Sequence, residues 1–289
     1  MCVTVGPAKL SDTEIYSGEA EHNGKYVHVL AYQNKANNFA GIANAMILPF
    51  PAGQELSSEN VIDTTDFPNF LKDIGLASKR QTRSLGFKGG AMSKNAVKVF
   101  ESGSYTVVLA GDANAAAIFE AVSNVPDPKR PNLSKEFFDD FQKLYPGQPV
   151  ALCCWAGSVK AEPLLWWYEP RDASTLFLPT MDAHDGMAPR LDAKVDVDHI
   201  LSVGSTLVNQ SGSKVHYRDT IPNKYRQLLP DYAFGSQLDV RLPNGDFWCD
   251  VADLKIAEGG KFKAPLIRRA HKSESGMTET ARQHLFGWT

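Results

Sequence analysis

The chain has 289 residues, of which 43% are apolar and 22% are charged, and this composition excludes a disordered, collagenous or coiled-coil protein. Its formal net charge of −3 provides no overall attraction to nucleic acid or to an anionic membrane surface. No apolar run approaches the roughly 18 residues that a membrane-spanning helix needs. We therefore expect a protein that binds neither membranes nor specific nucleic acids.

Short strand-like runs separated by turn residues dominate the start of the chain. Runs rich in β-branched and aromatic residues predict strands over 3–5, 14–16, 26–32 and 45–50. A short helix over 67–74 follows, and Thr65 or Asp66 is suited to cap it.

Residues 79–98 form a basic segment that differs from the rest of the chain. The segment contains six lysines and arginines and three glycines, and no acidic residue lies between Asp73 and Glu101. We interpret it as a basic loop in which Arg80, Arg83 and Lys88 bind an anionic substrate. The alternative is a solvated loop without a ligand. A phosphate-binding P-loop is excluded, because the sequence Gly-x4-Gly-Lys-Ser/Thr is absent.

The middle of the chain alternates between strands and helices. We predict a strand over 105–109, a helix over 112–122 that begins at Asp112, and a helix over 134–145 capped by Ser134. Three strand-like runs follow at 150–155, 164–168 and 175–178, and hairpins between them would make them antiparallel. A further strand is predicted over 199–203.

The last predicted strands, 237–242 and 247–251, flank an Asn244-Gly245 dipeptide, which is a strong hairpin signal. Residues 257–289 are polar and basic, and we expect them to cover the surface. Many strands joined by short turns favour a layered α+β fold with mostly antiparallel sheets and flanking helices. We predict that residues 1–289 form a single domain of this class.

The cysteines indicate a reducing compartment. The four cysteines are scattered, no Cys-x2-Cys zinc spacing occurs, and the N-terminus lacks the basic and apolar regions of a secretory signal. We therefore expect free thiols and a cytoplasmic location. Among the four, Cys2 occupies the unusual position.

Cys2 would become the N-terminal residue if the initiator Met1 were removed. It would then carry a thiol with a pKa near 8.5 and an α-amine with a pKa near 7.7–8.0, so one residue would supply both a nucleophile and a neighbouring base. The following residues, Val3-Thr4-Val5, would hold the thiol on a strand. The alternative is that a cysteine stands second by chance and has no chemical role.

The Met-Cys start followed by a strand resembles the N-terminal-nucleophile hydrolases, among them choloylglycine-hydrolase-like amidases and glutamine amidotransferases. This resemblance implies an αββα arrangement of layers and hydrolysis of an amide or related C–N bond. It also implies that Met1 is removed and that Cys2 is the catalytic residue.

A thiolate that attacks a carbonyl group needs a donor to stabilise the oxyanion, and amide side chains are common donors. Asn34 ends one predicted strand and Asn44 opens the next, so both are candidates. The alternative is that these residues only form turns.

Two pairs of acidic residue and histidine lie beside predicted strands. Asp182 and His184 form one pair, and Asp198 and His199 form the other. Such residues can act as proton carriers or bind a metal ion, and the alternative is a turn beside a hydrogen-bonded histidine. We expect Asp182, His184 and His199 to share one cleft with Cys2.

Together these features predict a cytoplasmic, cofactor-free cysteine hydrolase that acts on a small-molecule or peptide substrate. The first alternative is a metal-dependent hydrolase built on Asp182, His184, Asp198 and His199. The second alternative is a non-enzymatic binding or assembly protein.

Overall fold

The computed structural model describes residues 3–78, 99–112, 114–208 and 212–254, together with the backbone of 267–273 and 276–281. The first ten strands are β1 (Val3–Thr4), β2 (Ala8–His22), β3 (Lys25–Asn38), β4 (Asn44–Pro49), β5 (Val61–Ile62), β6 (Val99–Ser102), β7 (Tyr105–Ala110), β8 (Val150–Trp155), β9 (Ser158–Lys160) and β10 (Leu164–Tyr168). The others are β11 (Thr175–Leu178), β12 (Lys194–Val197), β13 (Ile200–Ser205), β14 (Ser213–Lys214), β15 (Tyr232–Gln237), β16 (Val240–Pro243), β17 (Asp246–Asp250), β18 (Ile267–Ser273) and β19 (Gly276–Ala281). The helices are α1 (Phe70–Ser78), α2 (Ala115–Val122), α3 (Lys135–Leu144) and α4 (Asn223–Arg226).

The described strands form two large sheets and two small ones. The first sheet has the order β1-β4-β8-β7-β6, and the second has the order β14-β15-β13-β2-β3-β10-β5, with β9 also paired to β3. The third sheet is β11-β17-β18-β19, and β12 pairs with β16. The strand pairs are antiparallel except for β2 and β13, which run parallel.

The two large sheets share a hydrophobic core, and strand alternation shows why. In β8, Ala151, Cys153 and Trp155 belong to a cluster that also includes Leu30 and Trp166 of the second sheet. We call this cluster the shared core. The intervening residues of β8 belong to a different cluster on the opposite face of the first sheet. Because both faces of β8 are covered, its sequence is continuously apolar.

Helices cover the outer faces of the large sheets. Helix α1 packs Phe70 and Ile74 against Val29 and Ala31 of β3, on the face of the second sheet opposite the shared core. Helices α2 and α3 pack in the same way on the outer face of the first sheet. The predicted α+β class with mostly antiparallel sheets and flanking helices is therefore confirmed, and the finer αββα arrangement stays a prediction.

The pairing predicted for the middle strands is wrong, although their positions are right. Strands β8, β10 and β11 have the predicted bounds, but they lie in the first, second and third sheets respectively. Strand β10 pairs with β3 and β5, and β11 pairs with β17. A short run of apolar residues is enough to predict a strand. Which strand it pairs with depends on how both faces of the resulting sheet are buried.

The Asn244-Gly245 turn does not close a hairpin, so that prediction is also wrong. Strand β16 ends before the turn and pairs with β12, whereas β17 begins after it and pairs with β11 and β18. The side chain of Asn244 instead binds a distant segment, as described below.

The helix starts differ from the predictions in two places. Helix α1 begins at Phe70, after a turn in which the Phe67 N–H donates to the Thr64 carbonyl at 3.0 Å. Helix α2 begins at Ala115, and its cap is Asn114 rather than Asp112. The prediction for α3 is confirmed, because the Ser134 Oγ accepts the Phe137 N–H at 3.2 Å.

The basic segment 79–98, with Arg80, Arg83 and Lys88, lies outside the described residues, as does Cys2. Within the polar segment 257–289, the described backbone forms β18 and β19 of the third sheet. None of the described helices combines the length and apolar character that crossing a membrane requires.

Candidate functional site

The first described strand lies beside the segment that carries Asp182 and His184. Val3 forms a parallel bridge with Ala183, and the Thr4 N–H donates to the Ala183 carbonyl at 2.9 Å. Further along, the Ala8 N–H donates to the His184 carbonyl at 2.9 Å. The residue that follows Cys2 in the sequence is therefore held next to the residue between Asp182 and His184.

Asp182 and His184 form a pair, which we call the strand-end pair. The Asp182 Oδ1 lies 3.2 Å from the His184 Nε2, and the two side chains are 13% and 19% exposed. A carboxylate beside an imidazole is a common arrangement at sites where a histidine carries protons. The structure brings these two predicted site residues together, beside the start of the chain.

Asn244 and Asp246 hold this segment in place, and the sequence analysis did not identify them as site residues. The Asn244 Oδ1 accepts the Asp182 N–H at 2.9 Å, and its Nδ2 donates to the Asp182 carbonyl at 2.7 Å. The Asp246 Oδ1 accepts the N–H groups of Thr180 and Met181 at 2.8 and 2.9 Å. Both side chains are buried. The Asn244-Gly245-Asp246 motif contains both residues, but its local pattern predicts only a turn and not these long-range hydrogen bonds.

The three described cysteines are unsuited to nucleophilic chemistry. Among the described residues, Cys153, Cys154 and Cys249 form no disulfide bond, and all three are fully buried. Burial raises the pKa of the Cys154 thiol to about 12, because it disfavours the charged thiolate. These thiols are therefore expected to be inert towards reagents in water.

The two amides predicted as oxyanion donors are engaged in internal hydrogen bonds. The Asn44 Nδ2 donates to the Gly6 carbonyl at 3.0 Å, and its Oδ1 accepts the Ala45 N–H at 2.8 Å. The Asn34 Nδ2 donates to the Tyr32 hydroxyl at 3.1 Å, and its Oδ1 accepts the Tyr105 hydroxyl at 2.9 Å. Both amides therefore stabilise the fold, and the oxyanion role of Asn34 and Asn44 stays a prediction.

His199 lies at a different position along β2 from the strand-end pair. Its buried ring places Nδ1 3.2 Å from the Asp198 Oδ1. The next residue, Ile200, pairs with Glu14, whereas His184 is bonded to Ala8, six residues earlier on β2. Six residues of extended strand, shortened by a bulge, span roughly 15–20 Å. The strand-end pair therefore lies beside Ala8, at one position along β2, and His199 lies near Glu14, at another.

Neither histidine pair contributes to a metal-binding cluster. In the part of the chain that the structure describes, no group of three or more His, Cys, Asp or Glu side chains is arranged to hold a metal ion. The four residues Asp182, His184, Asp198 and His199 thus form two pairs of a carboxylate and an imidazole.

A cavity of about 480 Å³ lies beside Asp198, between the second sheet and α1. We call it the lysine cavity, and its lining consists of Asp12, Thr13, Glu14, Gln33, Asn34, Lys35, Lys72, Lys160, Asp198, Ile200, Gln237, Leu238 and Asp239. Its size falls within the range of small-molecule sites, which is about 300–1,000 Å³.

Comparisons with known proteins identify no family. No family model matches this sequence, and no curated protein matches it. Among solved structures, the chain is similar to the crystal structure of baculovirus P35, with 13% sequence identity and a TM-score of 0.44 over 98% of this chain and 97% of that chain. A likeness this weak in sequence and in TM-score carries no argument about this protein.

Proposed function

We propose that this protein is a cysteine hydrolase of an amide or related C–N bond, in which Cys2 is the nucleophile after removal of Met1. The observation that carries the proposal is the position of the strand-end pair. Val3, which follows Cys2, is bridged to Ala183, and Asp182 and His184 flank that residue with their side chains 3.2 Å apart. In the proposed site, the segment with a histidine and a carboxylate lies beside the residue that follows the proposed nucleophile.

In the first step, the α-amine of mature Cys2 takes the thiol proton, and the thiolate attacks the carbonyl carbon of the substrate. The tetrahedral intermediate then breaks its C–N bond, and the leaving nitrogen takes the proton back from the ammonium group. The product of this half-reaction is a thioester on Cys2.

In the second step, His184 acts as the base for hydrolysis. Its Nδ1 takes a proton from water, the hydroxide attacks the thioester, and the Cys2 sulfur leaves and takes the proton from the imidazolium. Asp182 orients the ring through Nε2 and stabilises its charged form. The thiol, amine and imidazole supply every proton transfer, so the proposed reaction needs no cofactor.

Two further features support the proposal. The layers of helix, sheet, sheet and helix are of the kind that the resemblance to N-terminal-nucleophile hydrolases implies. Cys153, Cys154 and Cys249, the cysteines that the structure describes, form no disulfide bond, in keeping with the proposed cytoplasmic location.

Thiol labelling with iodoacetamide tests the nucleophile without knowledge of the substrate. Because the other three cysteines are buried, we expect native protein to gain one carbamidomethyl group per chain, at Cys2, and Cys2→Ser protein to gain none. Intact-mass measurement reports both the label and the removal of Met1. Retention of Met1, or a native protein that takes no label, would contradict the proposal.

Turnover of a panel of acyl 4-nitroanilides tests the two steps separately. We expect wild-type protein to release nitroaniline continuously and Cys2→Ser protein to release none. His184→Ala protein should release a burst of about one equivalent and then stall as the acyl-enzyme, because only the second step needs the imidazole. His216→Ala, at an exposed histidine, is the matched control. Hydrolysis at the wild-type rate by Cys2→Ser would overturn the assignment.

A further inference from the structure

The lysine cavity contains features that the proposed hydrolase does not use. Its buried end is formed by Thr13, Gln33 and Asn34, which are at most 7% exposed, and its rim carries exposed charged residues. The wall on one side is the start of β2, where a β-bulge interrupts pairing with β3 between Ser11 and Glu14. Asp12 lies in this bulge with a φ of 52°, a conformation that non-glycine residues rarely adopt. Bulges of this kind are over-represented next to functional sites, where they redirect side chains.

Helix α1 places a lysine over the cavity. Gly75 lies so close to the second sheet that an added Cβ would be 3.1 Å from the Glu14 Oε2 and 3.4 Å from the Ile200 Cγ2. Lys72 is one turn earlier on the same face of the helix and lines the cavity. The absence of a side chain at Gly75 thus allows α1 to approach the sheet and brings Lys72 towards the buried end.

Two lysines line this cavity together. Lys72 and Lys160 both belong to its lining, as does Glu14, and their charges interact. Burial, together with the charge of Lys160, lowers the pKa of Lys72, whereas Glu14 opposes this change. Two like charges side by side are unfavourable unless an anion lies between them. This arrangement is suited to hold a carboxylate.

The lining contains buried polar atoms without a hydrogen-bond partner among the described residues, and the Thr13 Oγ1 and the Gln33 Oε1 are examples. The Gln33 amide is oriented by its Nε2, which donates to the Ala161 carbonyl at 2.8 Å, so its oxygen is fixed as an acceptor. A buried acceptor without a donor is costly, and a ligand N–H or O–H group would satisfy it.

The charges of the lining select the class of ligand. It contains four carboxylates and three lysines, and one of those lysines, Lys35, is already paired with Asp12. A ligand carrying only negative charge would be attracted by Lys72 and Lys160 but repelled by the remaining acidic residues. A ligand with a carboxylate at one end and an ammonium group at the other can interact favourably with the lysines and with the acidic residues.

We propose that the lysine cavity binds a small zwitterion, namely an amino acid or a dipeptide. Lys72 and Lys160 bind its carboxylate, and Gln33 accepts a hydrogen bond from its ammonium group, which also faces the carboxylates Asp198 and Asp239. The lining does not include Asp182 or His184, so the inference does not depend on the proposed hydrolase.

Binding can be measured by calorimetry and by thermal shift with intact protein. The probes are L-glutamate, L-lysine, L-phenylalanine and glycylglycine as zwitterions, with acetate and inorganic phosphate as simple anions. We expect at least one zwitterion to bind saturably and to bind more tightly than either anion. Saturable binding of none of the zwitterions, or equal or tighter binding of acetate or phosphate, would overturn the proposal.

Variants then assign the binding to the cavity. Lys72→Met and Lys160→Met each keep the aliphatic part of the side chain and remove the charge. Each should lower the affinity for the zwitterion by roughly tenfold or more. Lys9→Met, at an exposed lysine of β2 outside the lining, is the control and should leave binding unchanged. Lys160 is exposed, so Lys160→Met tests the site even if Lys72→Met does not fold. Unchanged affinity in Lys160→Met, or equal weakening in Lys9→Met, would contradict the assignment.

Discussion

At the scale of single residues, buried polar side chains organise the candidate site. Asp246 accepts two backbone N–H groups through Oδ1, and its Oδ2 accepts the Tyr145 hydroxyl at 2.6 Å. These bonds connect β17 to the segment before the strand-end pair and to the end of α3. A hydrogen bond to a charged group contributes about 1.5–3 kcal/mol, and a buried donor left without an acceptor costs a similar amount.

We therefore predict that Asp246→Ala lowers the free energy of unfolding by about 3 kcal/mol or more, because it leaves three buried donors unsatisfied. Tyr145→Phe removes only one of these bonds and should cost about 1–2 kcal/mol. Asp231→Ala, at an exposed position, is the matched control and should change stability by less than about 0.5 kcal/mol. Urea unfolding measures all three. Equal stabilities of Asp246→Ala and Asp231→Ala would show that the hydrogen bonds accepted by Asp246 do not stabilise the fold.

Because His28 is buried, we predict that the free energy of unfolding decreases as the pH falls. Burial lowers its pKa from 6.5 to about 4, because the charged imidazolium loses its hydration, while the Ala173 backbone and Asp172 offset part of this effect. Between these values the unfolded chain binds the proton more strongly than the folded chain does. The contribution of His28 is therefore complete above pH 6.5 and is lost as the pH falls towards about 4.

The total change attributable to His28 is at most about 3 kcal/mol. We expect wild-type protein to lose stability steadily as the pH falls through this window and His28→Gln protein to lose distinctly less. His216→Gln, at an exposed histidine, should follow the wild-type curve. The measurement is the free energy of unfolding in urea at a series of pH values. Parallel curves for His28→Gln and wild type would assign the acid dependence to other groups.

At the scale of elements, the helix ends show how local chemistry can be ambiguous. Before α2, the Asp112 Oδ1 accepts the Asn114 N–H at 2.7 Å, and the Asn114 Oδ1 in turn accepts the Ala116 N–H at 3.0 Å. Two residues of capping type, Asp112 and Asn114, thus stand before one helix, and the sequence pattern favoured the first. Before α3, the predicted role of Ser134 as N-cap is confirmed.

We predict that Ser134→Ala lowers the free energy of unfolding by about 1 kcal/mol, because the Phe137 N–H loses its acceptor. Ser134→Asn keeps an oxygen that can accept the same bond and should restore most of the loss. Helix α3 buries Phe137, Phe138 and Phe141, so the change should be visible in global unfolding monitored by circular dichroism. If Ser134→Ala and Ser134→Asn were equally destabilised, capping would not be the cause.

At the scale of the whole molecule, the shared core couples the two large sheets. Leu30 lies on β3 of the second sheet, and it packs in one cluster with Leu48 and Cys153 of the first sheet. Trp155 and Trp166 belong to the same cluster, one from each sheet. A cavity made in this cluster should weaken both sheets at once.

We predict that Leu30→Ala lowers the free energy of unfolding by about 2–5 kcal/mol, in a single transition. Tryptophan fluorescence reports on the shared core, and far-ultraviolet circular dichroism reports on the whole fold, so the two curves should coincide and shift together. Leu76→Ala, at a partly exposed leucine of α1, is the control and should shift the curves much less. Two separate transitions in wild-type protein would contradict the prediction that residues 1–289 form a single domain.

Sequence alone determined the layered α+β class and the position of most elements. The bounds of β8, β10 and β11 follow from short apolar runs, and the cap of α3 follows from one serine before an amphipathic helix. These properties depend on residues that are neighbours in the chain. For the same reason, the sequence could single out the Asp182 and His184 pair, which lies within three residues.

Only the tertiary structure decided which strands pair and which polar residues meet. The pairing of β10 with β3, the binding of Asn244 to Asp182, and the placement of Lys72 and Lys160 in one cavity all bring together residues that are far apart in the chain. Such contacts are selected by the burial of sheet faces and by the need to satisfy buried polar groups, which are properties of the folded whole. Local propensities carry no information about them, and for this reason the strand-end pair was predicted while the residues that anchor it were not.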